Sequence, residues 1–373
     1  MSNRTKQRRN REARRDDLSR RKFLKGVGGL GAILASGTAP AFIHEAGASK
    51  HRKVTFMLPW VFIGGHAFEF AAKNHFWKKR GLDVSILRGY GSGAAVKTIA
   101  TGKAMFGEAS YTVMVNGASK GLDAVGIGAK LQKSAMAISC RKEVGVRSAK
   151  DLEGRHLVQS PASGEAVMWS GFARAAGIDS SKVKRTFMGP GKLTSTVLNK
   201  QADCRGTYYV GGFLQFRVPT TYIMYSNYGF RNLELGLITR SAVIKKDPKL
   251  VQDIVDGAME GLRYQLTEPE KSLDLYIEAK PELKTKPRGL LRLQMGNTNF
   301  LCISPGVEKN GLGWMNPVDQ EQTRQSVIKY MKVENVPPIG KLFTNRFAGT
   351  VKLTAAEWAK AKSWAAKYDP AKI

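Results

Sequence analysis

The sequence is poor in cysteine, and its few cysteines and histidines lack metal-ligand spacing. Cysteine occurs three times in 373 residues, at Cys140, Cys204 and Cys302, and no pair has the C-x-x-C spacing of redox or zinc motifs. We interpret all three as buried apolar residues, although sequence alone does not say whether two of them approach closely enough for a disulfide. The five histidines show no pattern such as H-E-x-x-H. The sequence therefore predicts no metal site and no cofactor.

Acidic residues are also scarce, with 30 Asp and Glu against 60 Lys and Arg and a formal net charge of +30. The first 48 residues hold 11 basic and four acidic residues, so the rest of the chain still has 49 against 26. Such an excess is typical of nucleic-acid-binding proteins, but beyond residue 48 the basic residues are scattered and no RRM, KH, zinc-finger or helix-turn-helix motif is present. We predict a solvated basic surface, which can steer anionic ligands, and no nucleic-acid partner.

The N-terminus carries a polar, arginine-rich head that ends in Arg20, Arg21 and the segment 22–25, followed by the uncharged stretch 26–43. This arrangement resembles a twin-arginine export signal. Two A-x-A cleavage patterns follow, and we favour the second, which makes residues 1–48 a signal peptide. The alternative is a basic arm beside a membrane anchor, which is disfavoured because the stretch is rich in Gly and Ala and contains Pro40.

Long apolar runs are absent from the rest of the sequence. No later segment reaches the roughly 18 apolar residues of a membrane-spanning helix, and no Cys lies near either cleavage pattern to anchor a lipid. We expect a soluble, monomeric, periplasmic protein that meets the twin-arginine translocase during export.

Apolar patterns from Lys53 onward alternate between strands and helices. The predicted elements are strands at 54–58, 84–87 and from 105, and helices at 64–79 and 94–101. A second unit begins near Ser148 with a capping-box pattern, and it comprises a strand at 156–159, helices at 166–176 and 193–200, and a strand leading to Tyr208 and Tyr209. Strands that alternate with helices indicate right-handed βαβ crossovers and mostly parallel sheets.

The chain after Tyr225 is predicted to be predominantly helical, with amphipathic spacing at 248–266, 268–278, 318–330 and 355–368. A prior of roughly 150 residues per domain suggests two compact units.

Several short segments occur in a characteristic order along the chain. They are 60–76, 77–84, 89–93, 101–107, 150–154, 201–203, 225–229 and 343–347. In order and spacing these segments resemble the NMT1/THI5-like substrate-binding proteins of ABC importers, a family with binders of thiamine precursors, sulfonates and nitrate. The stretch after Trp60 departs from the Pro-Asn-rich segment of the thiamine-precursor binders, which leaves the ligand open.

The resemblance implies an α/β, type II periplasmic-binding-protein fold, with two α/β lobes joined by a two-strand hinge. The first lobe is expected to comprise 51–140 and 227–373, and the second 141–226. The implied function is capture of a small-molecule ligand for the ABC permease subunits, without catalysis. Two alternatives stay open: a THI5-like pyrimidine synthase, and a ligand-sensing partner of a signalling receptor.

Ligands of open α/β sheets bind beyond the carboxyl ends of the strands, where the candidate site residues lie. Trp60 can stack on a planar ligand or pack in the core, and His66 can donate to an anion or cap a turn. The segments 91–93 and 160–165 precede helices whose free N–H groups can hold a polar group, so a cleft between them needs no buried Lys or Arg. The candidates are Trp60, His66, Ser92, Ser110, Tyr111, Ser160, Ser163, Gly164, Tyr208 and Tyr225.

Each candidate also has a structural interpretation. The segment 91–93 can be a plain tight turn, and the tyrosines, which are expected near the crossing strands, can be core residues. Glu165 favours an amine-bearing ligand if it faces the cleft, but we favour the interpretation that it stabilises the start of its helix.

Overall fold

The computed structural model describes residues 51–369. The twin-arginine motif with Arg20 and Arg21, and both cleavage patterns, lie outside this range. The described chain contains two five-stranded sheets with helices packed around them. The strands are β1 Arg52–Met57, β2 Leu82–Leu87, β3 Phe106–Ser110, β4 Val125–Ala129, β5 Met136–Arg141, β6 His156–Gln159, β7 Lys184–Phe187, β8 Cys204–Tyr208, β9 Thr220–Met224 and β10 Leu235–Thr239.

The helices follow the strands closely in the first two thirds of the chain and dominate the last third. The α-helices are Ala67–Ala71, Ser92–Ala100, Tyr111–Ala118, Gly164–Val167, Trp169–Ala175, Leu193–Leu198, Ser241–Lys246, Pro248–Thr267, Pro269–Ala279, Arg288–Cys302, Pro305–Asn310, Pro317–Met331, Ile339–Leu342 and Ala355–Ala365. None of the helices within residues 51–369 is long and apolar enough to cross a membrane.

The two sheets have corresponding strand orders. The first is β2-β1-β3-β10-β4 and the second is β7-β6-β8-β5-β9. In each sheet the strand in fourth place, β10 or β5, runs antiparallel to both neighbours. The expected parallel arrangement holds for the other four strands. The antiparallel strand is the one that follows the chain's passage from the other sheet.

The chain passes between the sheets twice, at 130–135 and at 225–234. These segments adjoin, because Glu234 N–H donates to Leu131 O at 3.2 Å and Leu131 N–H donates to Leu235 O at 2.9 Å. Met136–Arg141 pairs with the second sheet along its whole length, whereas the expected boundary placed residues up to 140 in the first lobe. The first passage therefore comes earlier, since β5 contributes its full length to the second sheet.

The strand β10 was not predicted from the sequence, which indicated mainly helices after residue 225. Its five residues are all buried. A short run that is buried along its whole length has no period that separates a strand from a buried helix, and only its pairing with β3 and β4 defines it.

The predicted helix at 64–79 has three parts. It begins with a 3-10 turn at Gly64–His66, continues as α-helix over Ala67–Ala71, and widens to a π-helical stretch at Ala72–Trp77. The indole of Trp77 is fully buried and its Nε1–H donates to Ile254 O at 2.9 Å. The helix Pro248–Thr267 therefore holds this segment against the first sheet.

Two of the three cysteines form a disulfide, which corrects the expectation that all three are unpaired apolar residues. Cys140 of β5 lies directly opposite Cys204 of β8 in the antiparallel register, and the two are bonded. The third, Cys302, is a buried free thiol. The pairing could not be predicted because it depends on the register of two strands 64 residues apart.

Candidate functional site

A cavity lies among the carboxyl ends of β1 and β6, the helix starts that follow them, and β8. It encloses about 610 Å³ between atoms, including space open to solvent. Both sheets and the first passage segment contribute to its wall. Clefts that are lined from two sides in this way are usual places for small-molecule sites.

Six of the ten candidate residues line this cavity. They are Trp60, His66, Ser92, Ser163, Gly164 and Tyr208. Trp60, Ser92 and Ser163, which follow different strands, are therefore brought together around one space. The other four candidates, Ser110, Tyr111, Ser160 and Tyr225, are not part of its lining.

Tyr111 and Tyr225 are core residues. The Tyr111 hydroxyl donates to Gly128 O at 2.8 Å and its ring meets Phe343 edge to face. The Tyr225 hydroxyl donates to Glu165 O at 2.8 Å, and its ring stacks on Phe172 with 3.8 Å between centroids. Both rings are fully buried, because the helices behind the strand ends cover them.

The two remaining serines support the turns behind the cavity. Ser160 O accepts hydrogen bonds from the Ser163 amide at 3.1 Å and from the Ser163 hydroxyl at 2.7 Å. The Ser110 amide donates to Ser92 Oγ at 3.0 Å. These contacts fix the orientation of the two cavity serines.

The two strand-to-helix turns touch across the cleft. Gly93 N–H donates to Ala162 O at 3.0 Å, so the amide expected to hold a ligand holds a carbonyl of the opposite turn. Gly91 has φ 131°, and a Cβ at this position would overlap Ala162 O. Glycine is required here both for the backbone conformation and for the close approach.

A buried network of charged groups forms the wall on the side of the first sheet. His66 Nδ1 lies 3.0 Å from Glu69 Oε1, and Lys130 Nζ lies 3.6 Å from the same oxygen and 3.1 Å from Glu108 Oε2. Burial, with the charge of Lys130, lowers the pKa of His66 to about 3, so the imidazole is neutral. Its Nε2 has no hydrogen-bond partner among the described residues.

The carboxyl groups of this network hold protons more tightly than exposed ones. Burial raises the pKa of Glu69 and of Glu108 to about 7, although Lys130 opposes the shift. Burial lowers the pKa of Lys130, but the Glu108 and Glu69 carboxylates outweigh it and the pKa lies above its usual value. The lysine is therefore a permanent cation.

The sequence predicted no metal site, yet potential metal ligands meet in this network. Ligand atoms of His66, Glu69 and Glu108 lie within 4.8 Å of one another. The ammonium of Lys130 forms ion pairs with the carboxylates of Glu69 and Glu108 and already supplies the positive charge that they need. A resident divalent cation would be repelled by this lysine, so the residues present do not fit one.

The wall on the side of the second sheet carries a buried pair, Ser163 and Glu165. Ser163 Oγ donates to Glu165 Oε1 at 2.5 Å, and burial raises the pKa of Glu165 to about 7 against the opposing effects of Ser163 and Arg205. Burial lowers the pKa of Arg205 to about 10, which leaves it charged at neutral pH. Glu165 and Arg205 both line the cavity. Glu165 thus does more than stabilise its helix, and the expectation of a cleft without buried Lys or Arg is wrong.

Tyr208 places its hydroxyl group beside these charges. It lines the cavity, and the side chains of Ser110 and Ser92 interact with its hydroxyl group. A Cβ at Gly164 would overlap this hydroxyl, so the glycine makes room for it. Burial raises the pKa of Tyr208, and the nearby Glu234 and Glu165 carboxyls add to this effect. The tyrosine therefore stays protonated.

The sequence analysis missed Lys130 and Arg205, and it did not consider Glu69 and Glu108 as site residues. A usable signal was present, because Lys130 directly follows the apolar strand β4 and Arg205 lies inside the buried strand β8. A single charged residue within or beside a buried strand needs a partner, and such a partner marks a polar site.

The comparisons with known proteins agree with this fold. Residues 65–272, more than half of the chain, match the family described as NMT1/THI5 like. The 4-amino-5-hydroxymethyl-2-methylpyrimidine phosphate synthase of Legionella pneumophila is 22% identical over 250 residues, which cover 64% of this chain and 77% of the relative.

Solved structures with low sequence identity share the architecture. The alkanesulfonate-binding protein of Xanthomonas axonopodis pv. citri bound to MOPS has a TM-score of 0.59 and 10% identity, over 77% of this chain and 95% of that chain. The periplasmic nitrate-binding protein of Synechocystis PCC 6803 has a TM-score of 0.58 and 11% identity, over 86% and 90%. The expected periplasmic-binding-protein fold is confirmed, and the chain belongs to the NMT1/THI5-like family.

Proposed function

We propose that this protein is a periplasmic solute-binding protein of an ABC importer that captures a small planar organic molecule, uncharged or bearing an amine. Its family, its fold and a cavity lined from both sheets support this function. The observation that carries the proposal is the charge arrangement of the cavity, in which Lys130 pairs with Glu108 and Glu69, and the charge of Arg205 lowers the pKa of the buried Glu165.

An anionic ligand fits this arrangement poorly. Lys130 is bonded to Glu108 and lies close to Glu69. The charge of Arg205 lowers the pKa of the buried Glu165. A sulfonate or nitrate would compete with these carboxylates, and an unpaired buried charge is costly. An amine or a ring N–H instead finds acceptors in Glu165 and in the free Nε2 of His66, while the indole of Trp60 can stack on a planar ring.

The lobes that we propose follow the two sheets. The first comprises 51–135 and 225–369, and the second comprises 136–224, so the ligand is enclosed where they meet. We further propose that the protein reaches the periplasm by the twin-arginine route, acts as a monomer, and delivers its ligand to ABC permease subunits.

The ligand class can be tested with three probes. Isothermal titration of the mature chain with 4-amino-5-hydroxymethyl-2-methylpyrimidine, ethanesulfonate and nitrate should show binding of the pyrimidine alone. At 100 times its Kd a ligand adds about 2.7 kcal/mol of stability, so thermal unfolding gives an independent readout. Glu165→Gln should weaken pyrimidine binding, whereas the surface variant Glu282→Gln should not. Binding of either anion without the pyrimidine would contradict the proposed ligand class.

The Legionella relative supports a second candidate, a pyrimidine synthase. A resemblance to the THI5-like synthase implies a cysteine-rich motif, whereas the three cysteines of this chain are far apart in sequence. Cys140 and Cys204 are joined to each other, and Cys302 is buried. Incubating the chain with a small-molecule cell extract and searching the mixture for the pyrimidine phosphate by mass spectrometry separates the two functions, because a synthase forms this product and a binding protein does not.

A further inference from the structure

We propose that a basic face at the amino ends of the parallel strands of the first sheet holds the precursor on an anionic membrane surface during export. This basal face is defined by six exposed lysines, Lys53, Lys78, Lys79, Lys103, Lys245 and Lys246. It lies at the end of the strands opposite to the cavity. The inference rests on the proposed twin-arginine route and adds to it a contact between the folded chain and lipid headgroups.

The segments that carry these lysines begin or end at one edge of the first sheet. β1 runs parallel to β2 and to β3, so the amino ends of the three strands lie together. Lys53 lies near the start of β1, Lys78 and Lys79 precede β2, and Lys103 precedes β3. β10 runs antiparallel to β3 and therefore ends at the same edge, where the helix Ser241–Lys246 follows it.

Three contacts join these segments. The Arg52 amide donates to Gly81 O at 2.8 Å, which places the turn before β2 beside the start of β1. The Arg52 guanidinium forms an ion pair with Asp247, so the end of the helix that follows β10 reaches the same place. A Cβ on Gly102 would lie 3.0 Å from Arg240 Nη1, so the turn before β3 adjoins the end of β10. The six lysines therefore belong to one face.

Positive charge is in excess on the basal face. Three carboxylates beside it already have basic partners, in the ion pairs Arg52–Asp247, Arg80–Glu260 and Lys249–Asp253. Asp83 and Asp123 add two further negative charges near the strand starts. The six lysines, which form no ion pair within residues 51–369, outnumber them. Clusters of this size are attracted to anionic lipid headgroups.

The place where the chain enters the fold favours a membrane as the partner. β1 begins at Arg52, on the basal face itself. Eight residues, 44–51, separate it from the uncharged stretch 26–43 of the proposed export signal, and eight residues span at most about 28 Å. A signal held at the membrane therefore keeps the basal face close to the headgroups.

The side chains of the basal face fit lipid headgroups better than a nucleic acid. All six unpaired cations that define it are lysines, which act as point charges, whereas nucleic-acid recognition relies on the planar fork of arginine. The lysines are also spread over the starts of neighbouring strands, which lie about 4.8 Å apart, so they form a broad surface. A broad surface of point charges matches a layer of headgroups.

The test measures partition of the full-length precursor and of the mature chain 49–373 onto phosphatidylcholine vesicles with and without phosphatidylglycerol. The precursor should bind the anionic vesicles more tightly than the mature chain, because two membrane-binding elements together anchor a protein stably and one alone binds reversibly. Added salt should weaken binding of both chains. Removal of the signal would then release the mature protein.

Two double variants remove charge from different parts of the basal face. They are Lys78→Glu with Lys79→Glu, and Lys245→Glu with Lys246→Glu. Each should weaken binding of the precursor to the anionic vesicles at least about tenfold, because one lysine near an anionic surface strengthens binding about fivefold. Binding that is unchanged in both double variants would overturn the proposal, since the signal alone would then hold the precursor.

Lys182→Glu with Lys184→Glu is the matched control. Both lysines are exposed and lie at the start of β7 in the second sheet, and the substitutions change the net charge equally. This control should bind like the wild type. An equal loss of binding in the control would assign the effect to total charge and overturn the basal face. Thermal unfolding of each variant confirms that it is folded.

Further outcomes separate this inference from the proposals on which it rests. Tighter binding of the mature chain to a short DNA duplex than to anionic vesicles, lost in the basal variants, would assign the face to nucleic acid and overturn the membrane contact. Normal export of the Arg20→Lys, Arg21→Lys precursor would overturn the twin-arginine route, whatever the vesicles show. Solute titration tests the binding function independently, because these lysines are remote from the cavity.

Discussion

At the scale of single residues, the site is defined by buried ionisable groups that balance one another. Lys130 and Arg205 are almost fully buried, as are the carboxyl groups of Glu69, Glu108 and Glu165. Burying a charge is tolerated only with partners, and burial together with the neighbouring charges has shifted the pKa of these groups away from their ordinary values. Their titration is therefore linked to folding.

Glu165→Gln should make stability less dependent on pH. The pKa of Glu165 is raised from 4.5 to about 7, so between these pH values the folded state keeps a proton that the unfolded state releases. Raising the pH through this window lowers the wild-type free energy of unfolding. Relative to the wild type, the variant should gain about 3 kcal/mol between pH 5 and pH 8 at 1.36 kcal/mol per pKa unit, measured by urea unfolding.

The exposed residue Glu282 provides the control for this experiment. Glu282→Gln should follow the wild-type stability at both pH values. A stability difference between Glu165→Gln and the wild type that stays constant from pH 5 to pH 8 would show that Glu165 has no raised pKa in the folded protein.

At the scale of elements, the turns between strands and helices determine whether the two sheets can approach. The turn at Gly91 contacts the turn at Ala162, and the backbone of each has little freedom. Elsewhere the strand pairing of β5 with β8 is locked by the disulfide between Cys140 and Cys204. Both features can be changed without altering the cavity's charged groups.

Gly91→Ala should hinder closure of the cleft. The new Cβ would overlap Ala162 O, and the backbone conformation at φ 131° is largely restricted to glycine. We expect solute affinity to fall at least about tenfold and the radius of gyration with bound solute to exceed that of the wild type in small-angle scattering. Gly121→Ala is the matched control, since Gly121 has φ 81° with no atom within 4 Å of its Cβ position. Equal affinity in both variants would contradict a closing contact at Gly91.

Reduction of the disulfide should destabilise the second sheet. The bond closes a loop of 64 residues, and native disulfides typically contribute about 2–4 kcal/mol. Urea unfolding with and without dithiothreitol measures the effect. The double variant Cys140→Ala, Cys204→Ala should be insensitive to the reductant, and an equal response of both proteins would assign the effect elsewhere, with Cys302 as the first candidate.

At the scale of the whole molecule, two corresponding α/β lobes enclose a cavity. The passages at 130–135 and 225–234 adjoin, so the lobes can hinge about one place, as in other proteins that close around ligands. The excess of basic over acidic residues is also a property of the whole molecule. It favours encounter with acidic partners.

Export is the property of the whole chain that the N-terminus is proposed to control. Arg20→Lys with Arg21→Lys should leave the precursor in the cytoplasm, since the proposed signal is recognised through its paired guanidinium groups. Cell fractionation and immunoblotting measure the distribution. Replacement of Arg14 and Arg15 by Lys is the control, because it alters a neighbouring basic pair in the same head. Normal periplasmic yield of the first variant would contradict the twin-arginine route.

The sequence by itself determined the local order of elements and the family. Strand β6 was predicted with its observed bounds, and the helix 248–266 was predicted to within one residue. It also placed Trp60, Ser92 and Ser163 at strand ends, which was sufficient to bring them to the cavity. These features depend on periodicity and turn chemistry over a few neighbouring residues, which a sequence displays directly.

Only the tertiary structure decided which charged groups face one another. Lys130 forms ion pairs with Glu69 and Glu108, and Cys140 forms a disulfide with Cys204. The charge of Arg205 lowers the pKa of the buried Glu165. The tertiary structure also decided that Tyr111 and Tyr225 are core residues, because helices cover both rings. Such partnerships join residues tens of positions apart, and they form because burial in a common core makes an unpaired charge or an unpacked ring costly.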